Sequence, residues 1–212
     1  MRAPEEKILI DGPAGRIETL VENPGAPKGI ALVCHPHPLF GGANTNKVAH
    51  SLARTFVAMG YCAFRPNFRG VGQSEGVHDE GRGETEDMLA VIEEAKRRCG
   101  DIPVVLAGFS FGAYCQTRVA RRLQEAGHPA QRLVLVGTAA GYVESTRHYD
   151  TEAVPHDTIV IHGSDDTLVP LANVFAWAQP LDLPVVVVPG ADHFFHRRLH
   201  QIRDIITRAW RH

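Results

Sequence analysis

From Gly29 onward, short apolar runs alternate with longer stretches in which apolar residues return every three or four positions. The runs cover residues 30–34, 61–65, 104–108, 133–136, 158–161 and Val185–Val188, all rich in Val, Ile or Leu. Their length and continuity predict strands buried on both faces. Between them, Val48, Leu52 and Phe56 form one helical stripe, and Met88, Val91, Ile92 and Ala95 form a second. Phe195, Leu199, Ile202 and Ile206 mark a third, predicting a C-terminal helix. Strand–helix alternation implies a mostly parallel twisted sheet with helices on both faces, the α/β class.

Ahead of this pattern, residues 7–10 and 16–21 read as two strands joined by Asp11-Gly12-Pro13-Ala14-Gly15, an antiparallel hairpin at the sheet edge. Residues 139–157 are the longest stretch without periodicity and are expected to form a loop or a short helix. Too few residues follow the 133–136 run to build a large lid, so an open site is expected.

The chain has 212 residues, 44% of them hydrophobic, which leads us to expect one domain over residues 1–212. Its 22 basic and 24 acidic residues are interspersed and leave a net charge of -2, which argues against a nucleic-acid partner. No segment reads as a signal peptide or membrane span, so a cytoplasmic protein without membrane association is expected. Cys34, Cys62, Cys99 and Cys115 are widely spaced and read as free thiols.

Against this background one segment carries chemistry. Leu106-Ala107-Gly108-Phe109-Ser110-Phe111-Gly112 runs from a strand through G-x-S-x-G into a helical stretch at 113–126. That is the nucleophile-elbow pattern: a tight strand-to-helix turn lifts the serine hydroxyl above the sheet, and the flanking glycines avoid side-chain collisions. The competing reading, a serine capping a helix, has the right residue type. It does not account for the strand before or the glycine spacing, and none of the other serines, Ser51, Ser74, Ser145 and Ser164, has this context.

A serine hydroxyl needs a base to take its proton and a carboxylate to orient that base. With the chain order Ser, acid, His expected on such a sheet, the residues offer Asp165 or Asp166 after one strand and His193 after the next. His193, His196 and His200 could also be read as metal ligands, but no further well-spaced ligand accompanies them. The plainer reading puts His196 and His200 on the solvent face of the C-terminal helix.

Five motifs now stand in register. They are His35-Pro36-His37-Pro38-Leu39-Phe40-Gly41-Gly42, Asn67-Phe68-Arg69-Gly70-Val71-Gly72-Gln73-Ser74, the elbow, the segment from His162 to Pro170, and Gly190-Ala191-Asp192-His193-Phe194-Phe195. Together they resemble the α/β-hydrolase superfamily, and within it the small lidless bacterial serine hydrolases with an HPHP-x-x-GG segment. The resemblance covers nearly the whole chain and implies the α/β-hydrolase fold. It assigns the acid to Asp166 rather than Asp165, with Ser110 as nucleophile and His193 as base.

The resemblance also implies an oxyanion hole formed by the backbone N–H groups of Phe111 and His37. Both prolines beside His37 lack an N–H, so only His35 and His37 can donate from that tetrapeptide. The glycine-rich turn at 70–76 looks superficially like a phosphate loop, but the superfamily has a structural R-G-x-G-x-S turn there. Asn67 stands where many relatives have aspartate.

Phe40, Phe109, Tyr142, Leu168 and Phe194 flank these loops and are candidates for an apolar acyl pocket. The expectation is an esterase, carboxylesterase-like, acting on a small-molecule substrate with a short, uncharged acyl group through an acyl-enzyme, with no cofactor and no metal. A thioesterase or peptidase would use the same triad. A ligand binder without turnover is disfavoured because Gly108, Ser110, Gly112, Asp166 and His193 are all present.

Overall fold

A computed structural model describes residues 4–144 and 146–210. The predicted central runs become β3 (Gly29–Cys34), β4 (Tyr61–Pro66) and β5 (Val104–Phe109), each buried at every position. That is what a strand covered by helices on both faces requires. They are flanked by β1 (Glu5–Gly12), β2 (Gly15–Glu22), β6 (Arg132–Val136), β9 (Ile159–Gly163) and β10 (Val185–Val188), giving one eight-stranded sheet in the order β1-β2-β4-β3-β5-β6-β9-β10. From β4 to β10 neighbours are parallel, with Leu32 opposite Leu106 and Ala107 opposite Val134. The opening hairpin adds the antiparallel part: β1 is the edge and β2 joins it to β4.

The helical stripes divide between the two faces. Val48, Leu52 and Phe56 of α1 (Lys47–Ala58) and Ile202 and Ile206 of α5 (Leu199–Ala209) pack on one side. On the other lie Met88, Val91 and Ile92 of α2 (Arg82–Cys99), Val119 and Leu123 of α3 (Phe111–Glu125), and Val174 of α4 (Leu171–Ala178). Each fully buried Leu, Ile or Phe contributes about 1.5–3 kcal/mol by leaving water, so the two faces hold the layers without disulfides; all four cysteines are free. Among the described residues no helix is long and apolar enough to cross a membrane.

Two expectations are corrected. Among the described residues of 139–157 there is no helix but a short antiparallel hairpin, β7 (Gly141–Val143) and β8 (Arg147–Tyr149). It is secured by Asn173 Nδ2, which donates to the carbonyls of Ala140 and Tyr142. The C-terminal helix starts at Leu199, so Phe195 and His196 precede it. Phe195 and Arg197 have φ of 52° and 62°, left-handed values that interrupt a helix. Phe195 is nevertheless fully buried against the α5 face, which is why it sits in the apolar stripe.

The chain leaves β3 toward β4 on one side and leaves β5 toward β6 on the other. Adjacent strands whose connections diverge open a crevice above their carboxyl ends, the position where open α/β sheets bind ligands.

Candidate active site

Ser110 stands at the carboxyl end of β5, in that crevice. Its φ of 57° and ψ of -119° lie outside the regions open to ordinary residues. The turn is held in place by the Ser110 N–H donating to Val136 O at 2.9 Å and by its carbonyl accepting from Ala113 and Tyr114. A Cβ on Gly108 would come 2.4 Å from Gly112 O, across the turn, and one on Gly112 would come 2.4 Å from His35 O. The first glycine therefore closes the elbow on itself, whereas the second lets it sit against the end of β3.

Asp166 follows β9 and His193 follows β10. His193 Nδ1 lies 2.7 Å from Asp166 Oδ2 and its Nε2 lies 3.0 Å from Ser110 Oγ. A carboxylate only accepts, so Nδ1 carries the proton and Nε2 is left to accept from the serine hydroxyl. All of this occurs with Asp166 and His193 buried. The second Asp166 oxygen accepts from the N–H groups of Leu168 and Val169. Asp165, by contrast, is exposed and accepts from the Ser164 hydroxyl.

His162, a motif residue without a role assigned from sequence, is fully buried beneath the Asp166 loop. Its Nε2–H donates to Val169 O at 2.9 Å and lies 3.3 Å from Asp166 Oδ2. Burial pushes its pKa down, so the imidazole is the neutral form. It positions the acid's loop and does not reach Ser110's partner nitrogen.

The loop after β3 is tied down by His35. Its Nδ1–H donates to Pro36 O at 2.7 Å, and its Nε2 accepts from Phe68 N–H at 2.9 Å. Both ring nitrogens are therefore committed to backbone, and full burial lowers the pKa to about 4. His37 Nδ1 accepts from Leu39 N–H and starts a single 3-10 turn at Pro38–Phe40. Its ring packs on Phe111 and His78 with centroids 4.8 Å away in each case, and burial, with the charges of His78 and Arg147, lowers its pKa to about 4. Among the described residues, neither the Phe111 nor the His37 backbone N–H donates to a protein acceptor. As the first helical donor of α3, Phe111 N–H has no intrahelical partner in any case.

A cleft of about 110 Å³ opens at Ser110 and His193. Of the five pocket candidates, Phe40, Leu168 and Phe194 line it. Phe109 does not: it is fully buried, its ring 4.9 Å from His193, and it forms a floor under the imidazole. Tyr142 does not either: it is exposed on the far side of β7 and packs on His148. The hairpin instead contributes Val143, Glu144, Arg147 and Tyr149, residues that aperiodic sequence gave no signal for.

His196 is engaged by Asp192 at the surface and His200 lies on α5, so neither joins His193. Among the described residues, three possible metal-donor atoms converge at Glu5, Glu22 and His50. The Arg65 guanidinium already pairs with both carboxylates there.

An eight-stranded, mostly parallel sheet with a strained serine turn at a switch-point crevice defines an α/β hydrolase. A family model described as a thioesterase domain matches residues 37–181. An α/β serine hydrolase without lid from Xanthomonas campestris superposes with a TM-score of 0.84 at 33% identity, over 99% of this chain and 94% of that one. An α/β serine hydrolase homologue from Coxiella burnetii gives 0.81 at 37% identity, over 97% of both chains. An uncharacterized protein of Rickettsia prowazekii is 30% identical over 212 residues, covering 95% of this chain and 87% of the relative. The chain belongs to the thioesterase-domain family of α/β serine hydrolases.

Proposed function

We propose that this protein is a carboxylesterase-type serine hydrolase that transfers small acyl groups to water through Ser110. In this reading His193 Nε2 takes the hydroxyl proton as Ser110 Oγ bonds to the carbonyl carbon. The backbone N–H groups of Phe111 and His37 receive the oxyanion, and Asp166 stabilises the imidazolium. Collapse expels the alcohol, to which His193 returns the proton. Water then repeats the sequence on the acyl-enzyme.

The observation that carries the reading is the pair of hydrogen bonds of 3.0 Å and 2.7 Å linking Ser110 to His193 and His193 to Asp166 at the strained turn. The cleft's volume of about 110 Å³ is small beside the roughly 300–1,000 Å³ usual for ligand pockets, which favours a short acyl group. Thioester cleavage is the second reading, favoured by the family match.

Intact-mass analysis after a fluorophosphonate probe tests the proposal. A single label is expected on the wild type, absent in Ser110→Ala. It should be slowed by roughly 10³-fold or more in His193→Ala and strongly in Asp166→Asn, and retained in Asp165→Asn. An unlabelled wild type overturns the proposal. Matched oxygen and sulfur esters of one acyl group then separate the esterase from the thioesterase by their kcat/KM ratio.

A further inference from the structure

The cleft beside Ser110 is walled by apolar side chains and, among the described residues lining it, by one acidic and one guanidinium side chain, Glu144 and Arg147. They bracket the turn of the β7–β8 hairpin and pair with each other. The two are not held equally. Arg147 belongs to β8, its side chain is three-quarters buried, and its guanidinium lies 4.3 Å from the centre of the Phe40 ring across the cleft mouth. Glu144 sits in the turn with φ of 50°, its side chain is 45% exposed, and among the described residues Arg147 is its hydrogen-bond partner.

With its carboxylate half open to water, the pair is worth only on the order of 1 kcal/mol. A second anion delivered into the cleft can therefore replace Glu144 while the cation stays on Phe40. The charge of Arg147 reaches the loop that carries His37, where it helps hold that imidazole neutral. Arg147 also forms part of the wall shared with an adjoining groove of about 530 Å³. The other cations of that groove are already engaged, Arg82 by Asp79 and Glu80 and Arg118 by Glu152. Its remaining carboxylate, Asp150, lies outside the catalytic cleft.

We propose that Arg147 is the specificity-determining cation of this cleft, and that the substrate is an ester or thioester carrying an anionic group, carboxylate or phosphate, that takes the place of Glu144. The inference rests on the acyl-transfer reading above and adds the charge of the substrate to it. Charge-assisted bonds to a guanidinium are stronger than neutral ones and bidentate for both anions.

The test compares kcat/KM for 4-nitrophenyl valerate, 4-nitrophenyl hydrogen glutarate and 4-nitrophenyl 4-phosphonobutyrate, which differ in the group at the end of the acyl chain. The wild type should prefer an anionic ester over valerate by about 10-fold. Arg147→Met, which keeps an unbranched stem over Phe40, should bring that ratio to about 1. Glu144→Gln should raise it a few-fold, and 0.5 M salt should lower it. Whichever anion is faster identifies the anionic group. A fluorophosphonate-labelled wild type without anionic preference, or an Arg147→Met ratio equal to the wild type's, overturns this inference alone. An unlabelled wild type overturns both it and the acyl-transfer reading.

Discussion

Single side chains in this molecule do their work by being committed in advance. Asn67 illustrates this: its Oδ1 accepts from Asn44 N–H at 2.7 Å while its Nδ2 donates to Glu18 at 3.2 Å. An aspartate could supply the first bond but not the second, which accounts for the amide at this position. His35 is similar, with donor and acceptor nitrogens both used only in the neutral form. Protonation would leave Phe68 N–H facing another donor, so the ring resists charging, with a pKa near 4 against 6.5 for a free imidazole. His37 shares the shift, and burial lowers His50 and His162 too. The unfolded chain then binds more protons than the folded one as pH falls from about 6.5 toward 4. These histidines therefore contribute stability that is complete above pH 6.5 and declines below it. Urea unfolding at pH 7, 6, 5.5 and 5, above the ordinary range of glutamate, should show a falling midpoint. A flat midpoint would contradict the assignment of neutral buried rings.

Elements differ in how openly the chain announces them. Strands such as β5, buried at all six positions, are read as unbroken apolar runs because both faces meet helices. The elbow is legible for a steric reason, since only glycine fits at 108 and 112. The β7–β8 hairpin was not legible: strands of three residues have no measurable period, and Tyr142 and His148 face solvent. With it went four residues of the cleft wall, Val143, Glu144, Arg147 and Tyr149. Helix α4 was missed because its sequence, Leu-Ala-Asn-Val-Phe-Ala-Trp-Ala, has apolar residues all round while only Val174 and Ala178 are buried. Where Ser110 forces the β5–α3 junction into a left-handed φ, the element stores strain of about 1–3 kcal/mol. Ser110→Gly should therefore raise the unfolding free energy by about 1 kcal/mol, and Ser110→Ala, which keeps a Cβ, should not. Equal stabilities for the two variants in denaturant titration would remove strain from the account.

Across the whole molecule, the antiparallel hairpin and the parallel sheet are joined by a charge rather than by apolar packing alone. Arg65 on β4 is 2% exposed, bonds to Asn44 O in the segment leading to α1, and pairs with Glu22 of β2 and Glu5 of β1. Removing one member of a buried pair strands its partner, at a cost of about 3–5 kcal/mol. Arg65→Ala should therefore lower stability by about 3 kcal/mol, the lower figure because Glu5 can turn to water; a loss under 1 kcal/mol in urea unfolding would show that the charge does not join the two parts.

The bonded pair at the site has a consequence in time as well as space. Ser110 and His193 are 83 positions apart, and ribosomes add roughly 5–20 residues per second. On the proposed mechanism the nucleophile is therefore polymerised on the order of 10 s before its base exists. Throughout that interval Ser110 would lack its base, so on this mechanism the hydrolase is kept silent during synthesis by the order in which its own residues are translated.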